Sequence, residues 1–539
     1  MIARLGQGWR EAFSEPRTRR VLAEVIAVAL VVGTALFLRA YRLDSLPAGL
    51  HGDEAVAGLE GQHILRDGWI GPYSPLARGQ PAGPLYLVAP AIKALGNTAF
   101  ATRLVPALMG TLTVLVLYFA IKSRFGRREG ILAAVLLATM GWHLLLTRTG
   151  FPVGSWPLVT LLAAWALSEA IRRESIAWYA VAGALTAAGI YVYNAHYVVI
   201  GAFLLLLVGL LIARRYRPLG RDLLCVAAFA CGLVLVALPM VGFAADGANG
   251  YFQHFRAESI ASTPTWDKHD TPLAKTRLLA TRYGDAWLQL TVSPKIDGVD
   301  GTGVTQILPL TLAGLAFAGA ATGLRRRRNE PLIWIGLVII AVAPAAAALS
   351  NEQGVARRTL EMTPCIAMFA ALALAEFARF LERRGRRLAW RAGSAAVTTG
   401  VIVLCAWQGI VPYFTTFADS SAQRWVYAAD FTAATRFMET LKPGDYVYLA
   451  SDRQSINYES RQFLAPDVQG EDIGSRDPAQ RFVYFPARGR PVFILLGRFR
   501  ADLPQLELQH PGGKVLPGPA GTDGAAFIAY ELPPNAALP

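Results

Sequence analysis

Cysteine is scarce in this chain, and the positions of the few cysteines argue against a disulfide framework and a zinc site. The 539 residues include four cysteines, each inside a long apolar run: Cys225, Cys231, Cys365 and Cys405. Zinc sites and disulfide frameworks place cysteines at short, regular spacings, and no such spacing occurs here. We therefore expect no disulfide framework, no zinc site, and four buried, unreactive cysteines.

Other absences narrow the class of protein. The sequence has no Asp-any-Asp motif for a metal-bound nucleotide sugar and no GxxxxGK[ST] loop for the phosphates of ATP. The middle of the apolar runs lacks the ionisable residue that ion-coupled transport usually needs. Residues 1–20 have no small-residue cleavage site, so they predict a cytoplasmic interfacial segment and not a removable signal peptide.

Long apolar runs dominate what is present. Hydrophobic residues make up 54% of the chain, and the mean hydropathy is +0.36. The runs recur from residue 21 to residue 411, which is typical of a polytopic membrane protein. The formal net charge is +14, but the basic residues cluster in short connections, where they set topology. The charge therefore indicates a lipid bilayer as partner and no nucleic acid.

The apolar runs predict an all-α membrane domain over residues 21–411 with about eleven spans. We place the spans at roughly 21–38, 103–121, 131–147, 156–171, 177–193, 196–213, 223–241, 304–323, 331–349, 359–380 and 389–411. The segment Leu85–Leu95 is too short to span, so we interpret it as an interfacial or re-entrant helix. Every strongly basic connection then lies in the cytoplasm. The loops 39–102 and 243–303 and the C-terminus lie outside, in a multi-pass protein of the plasma membrane.

Residues 412–539 have a different composition and predict a small extracytoplasmic α/β domain. Residues 431–441 predict an amphipathic helix, and four segments predict strands: 446–451, 481–485, 491–497 and 525–532. The domain has no Gly-rich phosphate loop and no metal-ligand spacing. We expect a lid or packing domain without chemistry of its own.

The first outer loop carries the adjacent carboxylates Asp53 and Glu54. In one interpretation both are solvated, and Asp53 caps a short helix over residues 54–66. In the other, one carboxylate is a catalytic base at the membrane surface, with His51 positioned to orient it. Several other polar residues lie at the predicted outer ends of spans or in outer loops: Arg78, Gln80, Arg148, Tyr193, His196, Arg357 and Arg358. The arginines either extend to lipid headgroups or bind a lipid-linked phosphate.

The order of these motifs resembles a known family. A first span is followed by LPAGLHGDEA, then GQPAGPLY, then FATRLVPALMG, and ARRTLEMTP precedes a late span. This pattern is similar to the GT-C type membrane glycosyltransferases. It most resembles glycosyltransferase family 39, which contains the protein O-mannosyltransferases and the aminoarabinose transferases of lipid A. The resemblance covers roughly residues 20–410.

The resemblance implies a polyprenyl-phosphate sugar as donor and a catalytic aspartate in the first loop, which is Asp53 here, with Glu54 beside it. Some family members bind the donor phosphate with a Lys-Pro-Pro motif. Here Gln80 stands in place of that lysine, so the expected donor-phosphate contacts are Gln80 together with Arg78, Arg357 and Arg358. A second acidic residue found in some members is missing from the loop TRTGFPVGS, which leaves the acceptor class open.

Together these features predict an inverting glycosyltransferase that acts on the extracytoplasmic face and requires no cofactor, and the sequence leaves a divalent metal open. Its acceptor would be a lipid, a glycan or a protein. Further substrate contacts are expected from His51, Arg148, Tyr193 and His196. A transporter or flippase of lipid-linked sugar is the alternative, but it gives Asp53 no proton-transfer role. A third hypothesis, an envelope scaffold that presents its C-terminal domain, leaves the first loop unexplained.

Overall fold

A computed structural model describes residues 16–533 except 75, 77–79, 214–218, 248–250, 294–305, 352–353, 385–387, 486–487 and 522–523. Helices form most of the described part. In chain order they are α1 (Pro16–Ala40), α2 (Gly52–Asp67), α3 (Leu85–Leu95), α4 (Ala99–Phe125), α5 (Arg127–Thr139), α6 (Gly141–Leu146), α7 (Trp156–Arg173), α8 (Ile176–Ala188), α9 (Tyr197–Ala213), α10 (Leu219–Ala245), α11 (Tyr251–Glu258), α12 (Pro264–Asp267), α13 (Pro272–Thr291), α14 (Leu310–Arg326), α15 (Pro331–Ala348), α16 (Val355–Arg358), α17 (Thr363–Arg384), α18 (Leu388–Pro412), α19 (Ser421–Val426), α20 (Ala429–Met438), α21 (Glu459–Leu464) and α22 (Leu503–Gln509).

Seven of the described helical segments are long and apolar enough to cross a membrane: 17–40, 99–125, 194–213, 220–245, 331–348, 360–384 and 390–417. The protein is therefore a multi-pass membrane protein. Helices also occupy the other four predicted spans, but they are shorter or carry more charge, as α7 does with its Glu169, Arg172 and Arg173. The count of eleven spans stays a prediction.

The loop between α1 and α4 has the elements that its sequence predicts. A helix was expected over 54–66 and is observed as α2, while α3 has the predicted bounds Leu85–Leu95. Between them, β1 (Tyr73–Ser74) pairs antiparallel with β2 (Gln80–Pro81). Glu60 of α2 is buried and accepts a hydrogen bond from the backbone of Leu76 at 3.0 Å, which ties this hairpin to the helix. The loop is thus a folded layer at one end of the membrane bundle.

The C-terminal region forms a sheet in the order β4-β3-β5-β9-β6, with strands β3 (Asp445–Ala450), β4 (Gln469–Asp472), β5 (Arg490–Leu496), β6 (Lys514–Pro517) and β9 (Phe527–Glu531). The small pair β7 (Ala520–Gly521) and β8 (Gly524–Ala525) stands apart. Strand β3 runs parallel to β4 and β5, whereas β9 is antiparallel to its neighbours. Both faces of the central strands are covered, which explains their nearly continuous apolar sequences.

Two predictions from the sequence are wrong in detail. Residues 481–485 are not a strand but an irregular segment whose Phe482 and Tyr484 are buried, with both rings against Phe493. Their alternating apolar pattern reflects this packing and no strand pairing. Cys231 is exposed on the surface of α10, whereas the other three cysteines are buried as expected.

The C-terminal domain packs directly on α2. The backbone N–H of Leu50 donates to Thr432 Oγ1 at 3.0 Å, and the N–H of Gly52 donates to Tyr458 Oη at 3.1 Å. At Gly58 the fit is so close that a Cβ atom would lie 2.5 Å from a ring carbon of Phe463. The ring can approach the helix only because this position has no side chain. The domain therefore covers the loop that carries Asp53.

Candidate active site

Glu54 is the anchor of the N-terminal end of α2. Its carboxylate is completely buried and pairs with the equally buried guanidinium of Arg103 on α4. The guanidinium donates from Nε to Oε1 at 2.9 Å and from Nη2 to Oε2 at 2.8 Å, which is the bidentate geometry of a strong ion pair. The remaining N–H groups of Arg103 bond the carbonyl oxygens of Leu43, Pro47 and Gly49.

Two backbone donors complete the surroundings of the Glu54 carboxylate. Gly150 N donates to Oε1 at 2.7 Å, and His51 N donates to Oε2 at 3.0 Å. Burial by itself raises the pKa of Glu54, but the charge and hydrogen bonds of Arg103 and these N–H groups outweigh burial, so the pKa lies below its usual value. A carboxylate with no exposed surface cannot contact a substrate. The catalytic role expected for Glu54 is therefore replaced by a positioning role.

Asp53 has the opposite environment, although it is the adjacent residue. Its side chain is 52% exposed. The helix cap that one interpretation assigned to Asp53 is provided by His51, whose Nδ1 accepts from Asp53 N at 3.0 Å, and Glu54 completes the capping box. The His51 ring packs edge-on against Phe151 and Tyr427. Asp53 is thus a half-exposed carboxylate on a rigidly held helix end.

Residues distant in sequence converge on Asp53. Tyr458 binds the backbone of Gly52, and Glu459 Oε2 lies 3.3 Å from the position that a Gly52 Cβ would occupy. On another side lies His254 of α11. Burial lowers the pKa of His254, Glu258 raises it, Arg358 lowers it further, and the charge of Asp53 opposes this shift. Asp53 is therefore close to both α11 and the C-terminal domain.

The two late arginines are near residues that surround Asp53. Arg358 is partly buried, and its Nη2 donates to Glu258 at 2.8 Å. Arg357 is half-buried, and its charge acts on the buried hydroxyl of Tyr427, the residue whose ring contacts His51. The structure thus brings Arg357, Arg358 and Asp53 into one region. Arg78 lies outside the described residues, and Gln80 is half-buried in β2.

Two of the expected substrate contacts, Arg148 and His196, are buried parts of the scaffold. Arg148 is completely buried and donates to the carbonyl oxygens of Leu38, Tyr41 and Leu46 and to the hydroxyl of Tyr413. His196 is also completely buried, between Trp156 Nε1 at 2.8 Å and the carbonyl of Thr186 at 2.8 Å. Tyr193 packs on the Trp156 ring with centroids 4.9 Å apart. Since Arg148 and His196 face the protein interior, the structure does not support the substrate contacts expected from them. The contacts expected from Tyr193, which is half-buried, and from His51 stay predictions.

Sequence reasoning missed Arg103, His254, Tyr458 and Glu459. Arg103 follows directly after the loop and sits inside an apolar run, which is the signal that could have drawn attention to it. The other three have no local motif, because only the fold brings them to Asp53. Within the described ranges, no group of three or more His, Cys, Asp and Glu side chains could hold a metal ion.

Solved structures with low sequence identity share this architecture. ArnT from Cupriavidus metallidurans bound to undecaprenyl phosphate matches with a TM-score of 0.54 at 13% identity, over 95% of this chain and 99% of that chain. Its apo state matches with a TM-score of 0.53 at 14% identity, over 96% and 100%. The chain has the fold of a GT-C type membrane glycosyltransferase.

Two further comparisons agree with the GT-C fold. AglB, an archaeal oligosaccharyltransferase from Archaeoglobus fulgidus in complex with an inhibitory peptide and a dolichol-phosphate, matches with a TM-score of 0.50 at 16% identity, over 95% of this chain and 74% of that chain. A family model for dolichyl-phosphate-mannose-protein mannosyltransferase matches residues 80–241. That segment begins at β2 and ends in α10, so it covers part of the membrane domain. No curated protein sequence matches the chain.

Proposed function

We propose that this protein transfers a sugar from a polyprenyl-phosphate donor to an acceptor hydroxyl, with Asp53 as general base. The observation that carries the proposal is the contrast between Asp53 and Glu54. Glu54 is fixed in the interior by Arg103, and its neighbour Asp53 is thereby held half-exposed at a rigid helix end. A base that is exposed to substrate and fixed in position meets the geometric requirement for proton abstraction.

The reaction would be a single displacement. The carboxylate of Asp53 accepts the proton of the acceptor hydroxyl while the hydroxyl oxygen bonds to the anomeric carbon. The bond between that carbon and the phosphate oxygen breaks, and polyprenyl phosphate leaves with the electron pair. One displacement inverts the anomeric configuration. The charge that develops on the phosphate would be held by Arg357 and Arg358, since fixed cations stabilise developing anions.

The membrane topology supports an extracytoplasmic site. In the predicted topology, all the basic connections lie at the cytoplasmic end of the bundle, and α2 lies at the opposite end. The loop with Asp53 and the C-terminal domain that covers it would then be outside the plasma membrane. The fold shared with structures that hold undecaprenyl phosphate and dolichol-phosphate favours a lipid-phosphate donor of the same chemical class.

A reconstituted assay tests the proposal against a flippase. The purified protein is placed in liposomes with a panel of radiolabelled polyprenyl-phosphate hexoses and pentoses and an envelope extract as the source of acceptors. A transferase releases polyprenyl phosphate and moves the label to a water-soluble or new lipid product. Movement of an intact donor between leaflets without release would support the flippase and contradict the transferase.

A further inference from the structure

A polar cleft lies in the C-terminal domain, and its lining contains no residue of the loop that carries Asp53. Its volume is about 610 Å³, which is within the usual range for small-ligand sites. Its wall comes from α19, α20 and the segments that follow β3 and β5. The lining includes five charged side chains and one tryptophan: Arg424, Asp430, Asp452, Arg453, Arg500 and Trp425.

The position of the cleft in the sheet is one at which ligands bind. Strands β3 and β5 are parallel neighbours, and the cleft lies beyond their carboxyl ends, at residues 451–454 and 497–500. The chain leaves β3 toward β4 on one side and then crosses to β5 on the other. Open sheets bind ligands in the crevice at such a reversal, because the connections diverge and leave it open.

The side chains of the cleft suit an acidic saccharide. Trp425 is 63% exposed and offers an indole face to a sugar ring. The guanidinium carbon of Arg453 lies 3.6 Å from the centre of that ring, and its Nη1 donates to the carbonyl oxygen of Trp425. No ion pair between Arg453 and a carboxylate occurs among the described residues. A planar, fixed guanidinium pairs well with a carboxylate or phosphate group. The cleft lining has three arginines and two aspartates, so its formal charge is +1.

The wall also contains polar atoms that the described protein atoms do not satisfy. Arg424 Nε, a donor, and Asp430 Oδ1, an acceptor, are both buried and lack a hydrogen-bond partner among the described residues. The two side chains are 3.5 Å apart as an ion pair, but this contact does not have hydrogen-bond geometry for Asp430 Oδ1. Buried polar atoms normally find partners. These two atoms are covered by protein, so the pair is part of the wall that shapes the cleft and not a direct contact for a ligand.

The cleft borders the region of Asp53. Tyr427 lies between cleft residues Val426 and Ala428 in the sequence, and its ring contacts His51. Tyr458 bonds Gly52, and its hydroxyl is subject to the charges of both Arg453 and Asp53. A saccharide held in the cleft would thus lie on the side of the domain that meets the catalytic loop.

We infer that this cleft binds a saccharide with an acidic group and presents it, as the acceptor, to Asp53. The role of this saccharide as acceptor rests on the proposed function, whereas its binding to the cleft does not require catalysis. The inference gives the C-terminal domain a recognition role, in contrast to the packing role that its sequence suggested.

The test measures binding of trigalacturonic acid to the full chain in nanodiscs by titration calorimetry, with maltotriose as the neutral counterpart. We expect the acidic trisaccharide to bind and Arg453→Gln to weaken it about ten- to a hundredfold, as for loss of a charge-assisted bond. Trp425→Ala should also weaken it, and Trp425→Phe should retain most of the affinity. Arg488→Gln is the matched control, because Arg488 is an exposed arginine before the opposite end of β5.

Each alternative outcome contradicts the inference. If maltotriose binds as tightly as the acidic trisaccharide, the cleft does not recognise the acidic group. If neither binds, or if Arg453→Gln and Arg488→Gln lose equal affinity, the cleft is not the binding site. The same titration with Asp53→Asn separates this inference from the proposed function. The acidic trisaccharide should still bind to the Asp53→Asn variant. Loss of transfer with retained binding would concern only the base, whereas loss of binding in the parent would concern only the cleft.

Discussion

Replacement of Glu54 by glutamine tests the anchor that positions Asp53. Glutamine has nearly the same shape, but it removes the negative charge and leaves Arg103 buried without a counter-charge. Breaking one partner of a buried pair costs about 3–5 kcal/mol. The amide also places an NH2 group where a carboxylate oxygen accepts two hydrogen bonds, so two of the four N–H donors from Arg103, Gly150 and His51 must lose their acceptor.

Thermal unfolding of the purified protein measures this loss. At roughly 2 °C per kcal/mol for a large domain, the melting temperature of Glu54→Gln should fall by roughly 6–10 °C. The folded-state pKa of Glu54 is lowered, so the pair contributes its stability above the unfolded pKa and loses it as the pH falls through the folded value. The difference between Glu54→Gln and the parent should therefore narrow below about pH 4.

Glu361→Gln is the matched control for this experiment. Glu361 is 1% exposed, but neither of its carboxylate oxygens has a hydrogen-bond partner in the described residues. Because the substitution removes no bond there, we expect a change of about 1 kcal/mol or less. A melting temperature for Glu54→Gln equal to that of the parent, or equal losses for both variants, would refute the positioning role.

Three further predictions concern the phosphate site, the domain contact and the topology. Arg357→Gln and Arg358→Gln should each weaken binding of a polyprenyl-phosphate sugar about tenfold or more in a liposome binding assay, and unchanged affinity in the double variant would remove both from the site. Gly58→Leu should separate the C-terminal domain from α2 and increase its proteolysis, whereas parental protease resistance would contradict the close contact. Leu508→Cys, at a position 84% exposed, should react with an impermeant maleimide in intact cells, and labelling only after permeabilisation would reverse the orientation.

The sequence predicts the helical framework well because long apolar runs and helix starts are local signals. The bounds of α3 and the approximate bounds of α2 follow from such signals. The edge strands β4 and β6 were missed, since each has only four residues, β4 is polar, and neither shows an apolar alternation. Strand identity at such edges depends on the neighbouring strand.

The site could be predicted only in part. The sequence singles out the pair Asp53 and Glu54, but it does not divide their roles. Adjacent positions on a helix point in different directions, and the direction that is buried depends on Arg103, which is on another helix. The cap at His51 and the approach of Tyr458 and His254 to Asp53 likewise come from tertiary packing.

Asp53→Asn in the liposome transfer assay tests the central claim most directly. Asparagine keeps the size of the side chain but does not accept a proton at neutral pH, so transfer should fall by at least about a hundredfold. The loss of a charge at the helix N-terminus should cost about 1 kcal/mol or less, so the melting temperature and donor binding should stay close to those of the parent. Transfer at the parental rate by a folded Asp53→Asn protein would contradict the assignment of Asp53 as the base.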